Sequence, residues 1–251
     1  MENAGQVFEA ELEILRTEAE SAAQFLYAYL AIHEIAAQHS EIAKLLNIAP
    51  LFWNTTLGAL QTSAFIAVGR VFDDDKESHG VARLLCIATE NPQIFNHASL
   101  AARKQGNNPT KPDWLDKYML TAYEPIPADF EALQHEVDKQ KASYKANYKP
   151  IRNKIFAHKD IKGSANVQEM FAQTNIVEFQ TLTLFPQSIY SALWNLYHNG
   201  SKPDLQEHPL AVADMVREPI PAGRQVPVHV KIARQAADFL LALAKEDKNQ
   251  Q

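Results

Sequence analysis

Residues 6–38, QVFEAELEILRTEAESAAQFLYAYLAIHEIAAQ, are rich in Ala, Glu, Gln and Leu and set apolar side chains at helical steps. Phe8, Leu12, Leu15, Ala19, Ala22 and Phe25 recur three or four residues apart, and Leu26, Tyr29, Leu30 and Ile32 continue the stripe. This spacing puts them on one face of an α-helix, whereas a half-buried strand alternates every second residue. The stretch therefore predicts one long amphipathic helix.

The same period governs most of the chain. A short helix is expected from Ser40 to Asn47, and a strongly apolar one over 50–72 with Leu51, Phe52, Leu57, Leu60, Ala64, Phe65 and Val68 inside, ended by Asp73-Asp74-Asp75. Ser78 is placed as the N-cap of a helix through Ala88. Pro92 suits the first turn of a helix to about Lys104, and Pro112 that of a short helix carrying Trp114, Leu115 and Met119. Pro127 opens a long helix with Phe130, Leu133, Val137, Tyr144 and Tyr148 inside. Pro150 should kink or break it, because it lacks an N–H and crowds the preceding turn. A short piece over 151–157 follows, then a helix over 175–198 stopped by Gly200. Residues 201–227 hold five of the thirteen prolines and read as an irregular arm with one short helix near 208–217. A final amphipathic helix spans 228–244, and 226–230 is the one strand-like run. The fold class is all-α, with a helical domain over 1–203 and an arm plus terminal helix over 204–251.

Composition narrows the function classes. With 46% hydrophobic and 22% charged residues, the 251-residue chain is ordinary for a globular protein. Its single cysteine excludes an intramolecular disulfide and any multi-Cys zinc or iron–sulfur site, and fits a reducing cytosol. Met1 to Gly5 lacks the basic-then-apolar start of a secretion signal, and no apolar run approaches 18 residues, so a cytoplasmic protein without a membrane span is expected. A net charge of −6 argues against a general nucleic-acid coat.

The common enzyme signatures are missing. The eight glycines are scattered, so there is no GxGxxG, phosphate-binding loop or GxSxG elbow. His33-Glu34 opens like a zinc-protease motif, but the next histidine is His39, six residues on instead of four. Asp73-Asp74-Asp75 reads as a polar helix terminus. No metal and no cofactor are expected.

The informative stretch is 139–162. Lys139, Lys141, Lys145, Lys149, Arg152, Lys154, Lys159 and Lys162 face one acid, Asp160, which gives eight minus one, or +7, within a chain of −6. On a regular helix Lys141, Lys145, Lys149 and Arg152 fall in a narrow arc with Tyr144 and Tyr148 beside them. Like charges so stacked repel. The stripe is either a solvated lysine face balanced by acidic helices or a track for a polyanion. At its end lies Ile151-Arg152-Asn153-Lys154-Ile155-Phe156-Ala157-His158. Six α-helical steps turn about 240°, so Arg152 and His158 cannot share a side of one regular helix. Either the helix ends before His158 or a second chain supplies the missing group.

Arg152 to His158 resembles the Arg-x4–6-His motif of the HEPN superfamily, including the polar residue that often follows its Arg. Arg70-Val71-Phe72-Asp73 with Ser78-His79, and Asn199-Gly200-Ser201-Lys202-Pro203 after the last core helix, resemble the abortive-infection U-type branch. The resemblance covers roughly 10–203. It implies an all-helical, usually dimeric domain and, in many members, a metal-independent RNase. RNA brings its own nucleophile, the 2′-hydroxyl. His158 would then move the proton near neutral pH, and Arg152 would fork onto the phosphate. Asn153 would orient either group. Lys141, Lys145, Lys149, Lys154 and Lys159 would guide the RNA backbone. The implied setting is phage defence or a toxin–antitoxin pair, with RNA, a second copy and an antitoxin protein as partners. The superfamily also contains non-catalytic members, so a helical dimer that binds a partner protein or nucleotide is the rival reading.

Overall fold

In a computed structural model, the described residues are 3–73, 75, 78–157, 172, 174–220, 223 and 225–249. They contain helices and no strand. In chain order these are α1 (Ala4–Gln38), α2 (Ser40–Ile48), α3 (Pro50–Val71), α4 (Val81–Glu90), a 3₁₀ turn (Pro92–Phe95), α5 (His97–Gln105), α6 (Leu115–Met119) and α7 (Pro127–Ser143). A π-helical segment (Tyr144–Tyr148), the single turn α8 (Lys149–Ile151) and a second π segment (Arg152–Ala157) follow. Then come α9 (Ile176–Asn199), α10 (Val212–Arg217) and α11 (Val228–Asn249). The chain is thus all-α, as its period implied. Val228, His229 and Val230 of the strand-like run form the first turn of α11.

The chain divides into two compact units, each built from three stretches of sequence. The first comprises 1–18, 70–146 and 184–208. Phe8 packs edge-on against Phe95 with ring centroids 5.1 Å apart, and 5.0 Å from Tyr197. Buried Leu12, Leu84, Leu100, Phe130 and Leu193 complete that core. Glu11 is buried among these residues because two side chains satisfy it: Arg83 Nε donates to Oε1 at 2.6 Å, and His79 Nδ1 lies 2.9 Å from Oε2. An unpaired carboxylate there would cost several kcal/mol, on the order expected for a buried ion. Arg103 donates to the carbonyls of Tyr197 and Ile94 and lies 3.8 Å from the centre of the Tyr197 ring. It thereby holds the C-terminal end of α9.

That end is a glycine stop. Gly200 has φ +57, its N–H bonds the Leu196 carbonyl, and the Ser201 N–H reaches back to Asn195. These paired bonds satisfy the last carbonyls of the helix. A Cβ on Gly200 would sit 2.5 Å from Leu100 Cδ2 and 3.0 Å from Ala122 Cβ, so glycine is required for both its left-handed backbone and its lack of a side chain.

The second unit comprises 19–69, 147–183 and 209–251. Its centre is a stack of rings: Phe65 on Phe179 at 4.4 Å, Tyr148 on Phe179 at 5.1 Å, and Phe156 against Phe65 at 4.9 Å. α10 and α2 pack on α11, where Arg234 donates to the Val216 carbonyl at 2.7 Å.

Three local expectations are corrected. Ser78 does not cap α4; the helix starts at Val81 with Gly80 as its N-cap, and Ser78 Oγ donates to the Asp75 carbonyl. Asn96, whose side chain accepts from Ser99 N–H, splits the expected Pro92 helix into a 3₁₀ turn and α5. Leu51 and Phe52 are 82% and 61% exposed, where the apolar pattern placed them inside.

Candidate functional site

Pro150 organises the Arg152 region. It has no N–H for the carbonyl four residues back, and its ring crowds the preceding turn. The helix does not end. It widens into π turns on either side of α8, and Tyr148 at the junction takes φ −112. π turns recur at functional sites because they re-aim side chains without breaking the helix. The premise of a regular α-helix from Arg152 towards His158 therefore does not hold, since Arg152–Ala157 is π-helical.

Arg152 opens this segment, half-buried. Its guanidinium donates to Asn153 Oδ1 at 2.9 Å. Its Nε is buried and meets no hydrogen-bond acceptor among the described residues. Nearby in the same unit, Tyr148 is fully buried. Its hydroxyl lies 2.8 Å from both Glu178 Oε2 and the Asn175 carbonyl, and it accepts from Asn175 N–H at 3.3 Å. Burial first, and the Glu178 carboxylate second, hold this phenol protonated far above the ordinary tyrosine range. Asn147 Nδ2 donates to the same carboxylate at 3.3 Å. A cavity of about 230 Å³ opens beside Tyr148, walled by Leu26, Tyr29, Gln61, Phe65 and Asn175.

The site residues named from sequence divide as follows. Arg152, Asn153, half-buried Lys149 and exposed Lys154 belong to the second unit. Half-buried Lys141 and exposed Lys145 belong to the first. His158 and Lys159 lie outside the described residues. Tyr144 and Tyr148, expected beside the lysines, are core residues. The step of about 100° that aligned the lysines applies to an α-helix, and past Ser143 the backbone is π. Sequence reasoning missed Glu178, Asn175 and Asn147. Their contacts bridge about thirty residues of chain, and no local motif announces them. The one available signal was Glu178 itself, the sole Asp, Glu, Lys or Arg of α9, placed in its first turn. Among the described residues, no group of three or more His, Cys, Asp or Glu side chains is placed to hold a metal ion.

The family model described as AbiU2, of HEPN type, matches residues 6–212. The chain belongs to the AbiU2 family of HEPN proteins. The match runs from α1 through both π segments to the first residue of α10, so the Arg152 turn is part of the family domain and α11 lies beyond it. No curated protein and no solved structure matches the chain. Among the described residues, no helix of this AbiU2-family protein is long and apolar enough to cross a membrane.

Proposed function

We propose that this AbiU2-family protein is a metal-independent endoribonuclease that acts as a dimer in phage defence or as a toxin restrained by an antitoxin. The observation that carries the reading is Arg152. It is half-buried on a π turn, one arm held by Asn153, with an Nε proton unclaimed among the described residues. A guanidinium so fixed, with a donor left over, is suited to a phosphate diester, whose oxygens it can bind as a planar fork. Family membership supports the same reading.

In the proposed reaction His158 accepts the proton of an RNA 2′-hydroxyl. The 2′-oxygen forms a bond to phosphorus, the bond to the 5′-oxygen breaks, and a proton passes to that leaving oxygen. Arg152 stabilises the charge that grows on the phosphoryl oxygens. Asn153 keeps the guanidinium aimed, and Lys141, Lys145, Lys149, Lys154 and Lys159 attract the backbone. The chemistry resides in 1–203, and 204–251 contributes none of the proposed catalytic residues.

The test is incubation of purified protein with total RNA, with and without EDTA, beside Arg152→Ala and His158→Ala. Cleavage that survives EDTA and disappears in both variants is expected. Absence of cleavage by the wild type, or its loss in EDTA, overturns the proposal in favour of a non-catalytic binding dimer.

A further inference from the structure

From Leu45 to Gly69 the chain carries no Asp, Glu, Lys, Arg or His in 25 consecutive positions. These residues form the end of α2 and nearly all of α3. The later part of α3 buries Ala64, Phe65, Ala67 and Val68. The earlier half, 50–62, has no fully buried residue. Ile48 is 71% exposed, Leu51 82% and Phe52 61%. An apolar helix half left in water opposes the hydrophobic effect, and such patches mark interaction surfaces.

Three details bear on the occupant. Thr55 and Thr62 turn their hydroxyls back to their own helix, donating to the Leu51 and Gly58 carbonyls at 2.8 Å each. Both hydroxyls are thereby satisfied within the helix, so these nominally polar positions require no outside hydrogen-bond partner. Gly58, in mid-helix, is unfavourable relative to Ala, yet a Cβ there would meet nothing within 4 Å. Among the described residues, no atom requires that glycine. Leu51, Thr55, Gly58, Ala59 and Thr62 also recur at steps of four, three, one and three, which is a single stripe of a helix. The stripe presents large residues at one end and a flat hollow in the middle. A surface without charge can face its own copy without setting like charges together, as a two-fold interface requires. A helix lying on a lipid surface instead carries Lys or Arg along its polar face, and α3 has none before Arg70.

We infer that the exposed half of α3, with Ile48 of α2, docks on the same surface of a second copy. The two α3 helices cross antiparallel with Thr55 near the two-fold axis, so Phe52 of one copy fills the hollow over Gly58 of the other. The inference deepens the dimer proposed above by naming its interface, and it rests on that reading for stoichiometry alone.

The test is Gly58→Leu, which fills the hollow in open space and favours the helix, so folding is preserved. Light scattering should give about twice 28.2 kDa for the wild type and 28.2 kDa for Gly58→Leu at the same concentration. In a Cys86→Ser background, which removes the exposed native thiol, Thr55→Cys should form a disulfide-linked dimer under mild oxidation. A wild-type dimer that persists in Gly58→Leu and does not cross-link through Thr55→Cys overturns this interface while leaving the dimer standing. A wild-type monomer, whether free or adsorbed on phosphatidylcholine vesicles, overturns both.

Discussion

Arg152 retains a buried Nε proton that finds no acceptor among the described residues, and such an orphan costs about 1–3 kcal/mol. Arg152→Met keeps the aliphatic stem and removes the donor. It should raise stability by about 1 kcal/mol in urea unfolding, while RNA cleavage falls by about 10²–10³-fold, the usual loss when a transition-state donor is removed. A variant no more stable than the parent would mean that the Nε proton has a partner. Tyr148 presents the opposite case, a buried hydroxyl fully used by Glu178 and Asn175. Tyr148→Phe should cost about 1–2 kcal/mol. Because its folded pKa is raised, the unfolded chain loses this proton first. Its contribution is complete below about pH 10, the unfolded value, and is lost as pH rises further. The alkaline slope of stability should therefore be shallower in Tyr148→Phe. Arg152 and Asn153 could be named as candidates from sequence because their motif is local. The Tyr148–Glu178 pair was not, because α9 supplies the carboxylate from thirty residues away.

Pro150 acts at the scale of an element. Its missing N–H was plain in the sequence, which foretold a kink or break, but the helix absorbs the defect as two π turns. The difference decides where Arg152 points. Pro150→Ala restores the donor and should let the segment relax to α-helix. Helix content should be unchanged by circular dichroism, and cleavage should fall at least about tenfold as Arg152 rotates away from its place. Unchanged cleavage would show that the π turns are set by something other than the proline. The end of α9 was read correctly because Gly200 terminates a helix by backbone conformation alone, whatever packs around it. Gly200→Ala should cost about 2–4 kcal/mol, from left-handed strain and overlap with Leu100 and Ala122 together, measured as a lowered urea midpoint. The first half of α3 was misread for a related reason. Apolar periodicity says that a face is buried, but not whether its own chain covers it, and Leu51 and Phe52 stay exposed.

Across the whole molecule the charge is −6, yet 139–162 carries +7. Attraction to RNA should therefore be local and strongly salt-dependent, and Lys145→Ala should reduce the slope of log affinity against log salt by about 1 without abolishing chemistry. An unchanged slope would remove Lys145 from the RNA path. The all-α class and the AbiU2 family were legible in sequence because both rest on helical period and short motifs spread over most of the chain. The pairing of distant stretches into two units was not, since each unit joins three segments that no local rule connects. In the proposed reaction RNA supplies the nucleophile. That assignment is tested most directly with one RNA sequence prepared unmodified and fully 2′-O-methylated, followed by mass spectrometry of the ends. Cleavage of the unmodified strand alone, leaving 2′,3′-cyclic phosphate, is the expected result. Cleavage of the methylated strand at a similar rate, or products ending in 3′-hydroxyl and 5′-phosphate, would contradict it.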